Sequence, residues 1–188
     1  DSGRLAISPD SFLVPLLSAL WIMMPAYVPN PVAAFVGGGT PIDGGRHFRD
    51  GRRIFGDGKT WRGFFAGVAA GIIMGMLQIL AYDAAGITSL PELTFPVVCL
   101  LSFGALLGDL VKSFFKRRLG KDRGAPWPIA DQYDLVIGPF VLLLLLEYTW
   151  VVSYITLPIL FWIIIITPLL HRAVNIIGYI AGIKDVPW

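Results

Sequence analysis

A single cysteine, a pair of histidines and a shortage of charge set the first limits on this 188-residue chain. Cys99 lies in an apolar run without a partner, which excludes a disulfide framework and a thiolate metal cluster. His47 and His171 are too few and too far apart for a zinc-site spacing. Charged residues make up only 15% of the chain and hydrophobic ones 55%, and the mean hydropathy of +0.69 lies outside the range of soluble domains. A formal net charge of +2 is too small for a general nucleic-acid binder, so no nucleic-acid partner is expected. No secretory cleavage pattern, internal repeat or flexible linker is legible, which predicts one domain over residues 1–188.

What is present is long uncharged runs. Crossing a bilayer core of ~30 Å takes about 20 helical residues. Residues 11–42, 63–82 and 93–108 carry no charge, and 135–170 carry only Glu147. The last run is long enough for two crossings and divides near Ser153 to Pro158. The expectation is an all-α integral membrane protein with five transmembrane helices, roughly 11–35, 62–84, 94–117, 136–153 and 157–180. Pro15, Pro25, Pro29 and Pro31 predict a bent or broken first helix, and Gly63, Gly67, Gly71 and Gly75 a small-residue packing stripe. Six of the fifteen Lys and Arg fall between Arg46 and Arg62 and six between Lys112 and Arg123, each group following an odd-numbered crossing. By the positive-inside rule both loops face the cytoplasm, with the N-terminus outside and the C-terminus inside. The chain therefore reads as a multi-pass cell-membrane protein whose polar site faces the cytoplasm.

The end of the third helix departs from a simple anchor. At about 100° per residue, Ser102, Asp109, Lys112, Ser113 and Lys116 share one face. An ionised Asp109 near the hydrocarbon edge costs up to ~3 kcal/mol unless it is paired or metal-bound. Asp131 and Asp134 follow the turn-forming Pro126-Trp127-Pro128 and are expected just before the fourth helix. Carboxylates converging among lysines suit a divalent cation, and hard oxygen ligands favour Mg²⁺, with Asp109, Asp131 and Asp134 as candidate ligands. Two simpler readings stay open: an intrahelical Asp109–Lys112 pair, and acids placed to favour the helix macrodipole. The first loop carries Gly37-Gly38-Gly39-Thr40-Pro41-Ile42-Asp43-Gly44-Gly45 and Gly56-Asp57-Gly58-Lys59-Thr60-Trp61-Arg62-Gly63, which resemble a phosphate cradle. A Walker A loop is rejected, since Arg53 stands where glycine is needed. An Asp43–Arg46 surface pair is the simpler reading of that loop's first acid. Glu147 reads as structural, Arg172 and Asn175 as pointing to the same site or to head groups, the two histidines as non-ligands, and the six tryptophans as interfacial belt residues.

Gly108-Asp109-x-x-Lys112-Ser113-x-x-Lys116-Arg117-x-x-x-Lys121-Asp122, followed by Asp131-x-x-Asp134, resembles the C-terminal signature of the CTP-dependent phosphatidate cytidylyltransferases, the CDP-diacylglycerol synthases. Ala105 stands where that signature has serine, Gln132 where arginine is usual, and Pro128-Ile129-Ala130 where His-Gly-Gly is expected. With Asn30-Pro31, the glycine-rich run, Lys59-Thr60-Trp61-Arg62-Gly63 and the closing Lys184-Asp185-Val186-Pro187-Trp188, these departures are similar to the archaeal branch, the CDP-archaeol synthases. The resemblance implies Mg²⁺-dependent cytidylyl transfer from CTP to an isoprenoid ether-lipid phosphate. It implies Asp109, Lys112, Lys116 and Asp134 as catalytic residues, and Thr40, Asp43, Lys59, Thr60, Arg62, Ser113 and Arg117 as nucleotide or phosphate contacts. A CDP-diacylglycerol synthase acting on phosphatidate and a membrane anion transporter are the competing readings. Membrane lipids are expected partners, and oligomeric state is left open.

Overall fold

The computed structural model describes residues 9–122 and 124–183. Arg123 and the closing Lys184–Trp188 motif lie outside them. Helices α1 (Pro9–Tyr27), α2 (Pro29–Val36), α3 (Trp61–Ala85), α4 (Phe95–Arg118), α5 (Pro128–Leu146), α6 (Tyr148–Tyr154) and α7 (Leu157–Ile180) are joined without strands among the described residues. Among the described residues, five stretches are long and apolar enough to span a membrane: 12–36, which combines α1 and α2, then α3, α4, α5 and α7. Their outward faces carry exposed Ile73, Leu77 and Leu80 on α3, Leu144 and Leu145 on α5, and Ile177 and Ile180 on α7, as a lipid environment requires. This is a multi-pass membrane protein.

The proline-driven break falls between α1 and α2, where Pro29 has no N–H for the Pro25 carbonyl. The fourth crossing differs from the expected 136–153. It starts eight residues earlier, because Pro128 occupies the first helical position, where its fixed φ favours initiation. It ends at Leu146, and Glu147 (φ −132°, ψ 41°) separates it from the short α6. Asp131 and Asp134 thus lie inside the first two turns of α5, not ahead of it.

Close crossings set the positions of the polar groups. The α3 stripe of Gly63, Gly67, Gly71 and Gly75 is buried. A Cβ on Gly67 would stand 2.6 Å from the Pro29 carbonyl oxygen, and one on Gly71 equally near that of Pro25. The same device joins α4 to α5. A Cβ on Gly104 would come within 2.5 Å of Pro139 Cα, and one on Gly108 within 3.0 Å of the Asp134 carbonyl carbon. Glycine beside Asp109 is therefore what lets the backbone bearing Asp134 come close. The core below is apolar, with Ile22, Met23, Val97, Val98, Leu101, Ala105, Leu143 and Ile163 buried.

At the opposite end of the bundle, two tryptophans act as anchors. Trp21 Nε1 donates to the Pro91 carbonyl (3.1 Å) and Trp150 Nε1 to that of Glu92 (2.8 Å), fixing the α3–α4 link.

Candidate active site

The α2–α3 connection, residues 37–60, is built around Asp43. Its side chain is fully enclosed. Oδ1 accepts from Gly45 N (3.1 Å) and Arg53 Nη2 (2.6 Å); Oδ2 accepts from Phe55 N and Gly56 N (both 2.9 Å). Burial alone would raise the Asp43 pKa, but the Arg53 guanidinium and these three amides outweigh it and hold the carboxyl well below the usual carboxylate range. The bonds to Asp43 and Asp57 in turn raise the Arg53 pKa. Asp43 therefore pairs with Arg53 and not with Arg46, because the chain folds back on itself through Gly44 and Gly45 (φ 57° and 79°). Two isolated antiparallel bridges, Pro41–Thr60 and His47–Arg53, close the loop, and the Ile42 amide donates to the Lys59 carbonyl (2.8 Å).

Arginines then dock the loop onto α4. Arg118 Nε lies 2.8 Å from Asp50 Oδ2, its Nη2 donates to the Arg53 carbonyl (2.6 Å), and its guanidinium packs over the rings of Phe48 and Phe114. Arg52 Nη1 donates back to the carbonyl of Arg117 (3.2 Å). Sequence reasoning missed Asp50, Arg52, Arg53 and Arg118 as a group. The run of arginines was the available signal, and it reads equally well as topology.

Docking carries Lys59 to α4, where its ammonium bonds Asp109 Oδ2. Lys112 Nζ lies 3.0 Å from Asp109 Oδ1, 2.6 Å from Asp134 Oδ2 and 3.3 Å from Asp131 Oδ1. Lys116 Nζ reaches Asp131 Oδ1 (2.7 Å) and the Ala125 carbonyl (2.8 Å), while the Trp127 amide donates to Asp131 Oδ2 (2.7 Å). Three carboxylates from two helices and three lysines from the loop and α4 thus form one network of balanced charge. The intrahelical Asp109–Lys112 contact is real, but it is one strand of a larger web.

The network lines a cleft of about 1080 Å³. Lys59, Thr60, Asp109, Lys112, Ser113, Lys116, Arg117 and Asp131 border it, and Asp134 is buried just behind Lys112. Thr60 is also the N-cap of α3, its hydroxyl accepting from Gly63 N (3.2 Å). Thr40, Asp43 and Arg62 do not border the cleft. Thr40 is exposed and contributes its carbonyl to Trp61 N (3.2 Å). Arg62 closes the end of α2, donating from Nε to the Val36 carbonyl (2.8 Å) and from Nη2 to that of Gly37. In this structure the side chains of Asp43 and Arg62 are engaged by the loop and the end of α2, while Thr40 contributes its backbone carbonyl to the turn. Tyr27, Asn30, His47, His171 and Asn175 also line the cleft. Asn175 therefore points to the site, while Arg172 is exposed outside it. His47 and His171, read from the sequence as non-ligands, both border the cleft, brought to its wall by the long loop and α7.

The donor set suits a hard divalent ion. Every candidate ligand is a carboxylate oxygen, and the point that all three acids share is already held by a cation, the Lys112 ammonium. Among the described residues no group of three or more His, Cys, Asp or Glu side chains stands arranged as a metal cage.

Comparison with known proteins identifies the family. A relative from Methanoculleus marisnigri called CDP-archaeol synthase is 62% identical over 166 residues, covering 88% of this chain and all of the relative. Those from Methanosphaerula palustris and Methanococcoides burtonii, with the same name, are 58% and 45% identical, again over 88% of this chain and all of theirs. A solved structure described as an intramembrane enzyme for archaeal membrane lipid biosynthesis superposes with a TM-score of 0.62 at 32% identity, covering 90% of this chain and 95% of that one. The family model CarS-like, CDP-archaeol synthase, matches residues 12–188, the part that holds the five crossings, the docked loop and the aspartate–lysine web, and this chain belongs to that family.

Proposed function

We propose that this chain transfers the cytidylyl group of CTP to an isoprenoid ether-lipid phosphate, giving CDP-archaeol and pyrophosphate. The observation that carries the reading is the balanced cluster of three aspartates and three lysines on the wall of a cleft between membrane-spanning helices. A lipid phosphate offers its head at the membrane surface while its tails stay in the bilayer, and a nucleoside triphosphate arrives from water. A polar cleft at the end of a helical bundle serves both.

A phosphate oxygen of the lipid attacks the α-phosphorus of CTP in line, forming the new P–O bond as the bond to the β-phosphate oxygen breaks. The nucleophile needs no general base, since the second pKa of a phosphomonoester is about 6. Catalysis is positioning and charge neutralisation. Lys59, Lys112 and Lys116, with Arg117 at the rim and the Ser113 hydroxyl beside them, bind phosphate oxygens. Asp109, Asp131 and Asp134 would hold Mg²⁺, which when bound offsets negative charge on the triphosphate. The positive-inside distribution supports a cytoplasmic opening for the cleft.

The deciding experiment is pyrophosphate release from labelled CTP by purified protein, with ether-lipid and ester-lipid phosphates compared. Release that depends on the ether-lipid acceptor is expected. Nucleotide-independent anion flux in liposomes, without pyrophosphate, would replace this reading with a transporter.

A further inference from the structure

Lys112 holds an unusual place for a phosphate-binding lysine. Its ammonium does not project into the cleft alone but sits among all three carboxylates, at 2.6 to 3.3 Å from each. Lys59 closes the outer oxygen of Asp109, and Lys116 spans Asp131. As the network stands, each lysine is neutralised by acids and each acid by lysines. A triphosphate that drew the lysines away would strand two buried carboxylates, Asp109 and Asp134, and the half-buried Asp131. A divalent ion that displaced them would strand the ammonium groups. Leaving one partner of a buried pair uncompensated is strongly unfavourable.

We propose that Lys112 is a resident counter-cation whose seat a divalent ion takes over, and that the displaced lysine moves onto the triphosphate. This rests on the nucleotidyl-transfer reading given above and adds to it an exchange device. The acids pass from lysine to metal, and the lysines pass from acids to phosphates, in one coupled event. The chain then discriminates against free nucleotide and against free metal, and accepts the two together. Lys59 takes part in the same exchange at one carboxylate oxygen, with a smaller share.

The test is the replacement of Lys112 by methionine, which keeps most of the volume and removes the charge. In the wild-type protein in nanodiscs, Mn²⁺ without nucleotide should bind weakly, as measured by electron paramagnetic resonance. In Lys112→Met the acids lose their resident cation, and Mn²⁺ without nucleotide should bind at least tenfold more tightly. Thermal melting gives a second readout that survives partial destabilisation. Mg²⁺ alone should raise the melting temperature of Lys112→Met clearly more than that of the wild type, with Lys59→Met between them. Equal Mn²⁺ affinity and equal Mg²⁺ stabilisation in wild type and Lys112→Met would overturn the exchange while leaving nucleotidyl transfer intact. If neither CTP nor Mn²⁺ binds the wild type even when both are present, the exchange and the transferase reading fall together.

Discussion

Two sets of carboxylates occupy the same end of the molecule and are held in opposite ways. Asp43 is wired to fixed donors, three backbone amides and one guanidinium that is itself tied to Asp57. Asp109, Asp131 and Asp134 are held mainly by lysine ammonium groups at the tips of flexible stems. The first arrangement has one geometry and builds a loop. In the second, the lysines can let go without unfolding a helix, because the acids are positioned by α4 and α5 and not by their counter-ions. Both sets are acidic, ion-paired and largely buried. The rigidity of the partner separates an architectural acid from one available to a ligand.

The sharpest way to break this comparison is at Asp109. Asp109→Asn keeps the size of the side chain and removes the charge that Lys59 and Lys112 share. Turnover should fall by about a thousandfold or more, as expected for loss of a group that organises charge in the transition state. Helical circular dichroism should not change, since Lys112 retains Asp131 and Asp134. Near-normal pyrophosphate release by this variant would remove the cluster from catalysis.

Asp43→Ala should act through the loop. Without its central acceptor, the segment carrying Lys59 loses the bonds to Phe55 and Gly56 that set its path. Activity should drop about tenfold to a hundredfold, the scale of a misplaced catalytic group. Trypsin should cut faster at Arg46 and Arg49, which distinguishes this loss from that in Asp109→Asn, where cleavage stays slow. The pH dependence has a definite sign. The folded-state pKa of Asp43 lies below its unfolded value near 3.9, so its contribution to loop stability is complete above that value and is lost only as pH falls through the depressed one. Loop protection attributable to Asp43 should therefore be flat between about pH 5 and 8 and fail only in stronger acid.

The unequal legibility of the two sets follows from the same contrast. The helix-borne cluster was readable because Asp109, Lys112, Ser113 and Lys116 obey helical spacing, and a polar stripe on an apolar helix stands out from a simple anchor. The five crossings were readable for the same reason, as uncharged length. Loop roles were not. Asp43, Thr40 and Arg62 look like ligands in a glycine-rich segment, and only the folded chain shows a turn engaging the side chain of Asp43 and a helix end that of Arg62. The start of α5 was misjudged because Trp127-Pro128 signals a turn and an N1 proline alike. Arg118 and Arg53 were hidden by composition, since basic residues at a membrane surface satisfy the topology rule whatever else they do. His171 reaches the cleft only through the packing of α7, which no local pattern encodes, whereas Asn175, near the inner end of that helix, was already open to the site from the sequence.

The smallest expected effect tests the boundary between the two sets. Arg62 follows Thr60 at the start of α3, and its charge suits a phosphate, yet its guanidinium is spent on the carbonyls of Val36 and Gly37 at the end of α2. Arg62→Met keeps the aliphatic stem and deletes those bonds. The carbonyls are near water, so the loss should be about 1 kcal/mol or less, read as a shift of a few degrees in melting temperature. The KM for CTP should stay within about threefold, because no bond from Arg62 reaches the aspartate–lysine web and so the phosphate-binding charge is untouched. A rise in KM of a hundredfold with unchanged melting would reverse the assignment. It would mean that Arg62 leaves the α2 carbonyls to bind the nucleotide, and that a guanidinium on backbone oxygens at this surface is as exchangeable as a lysine on carboxylates.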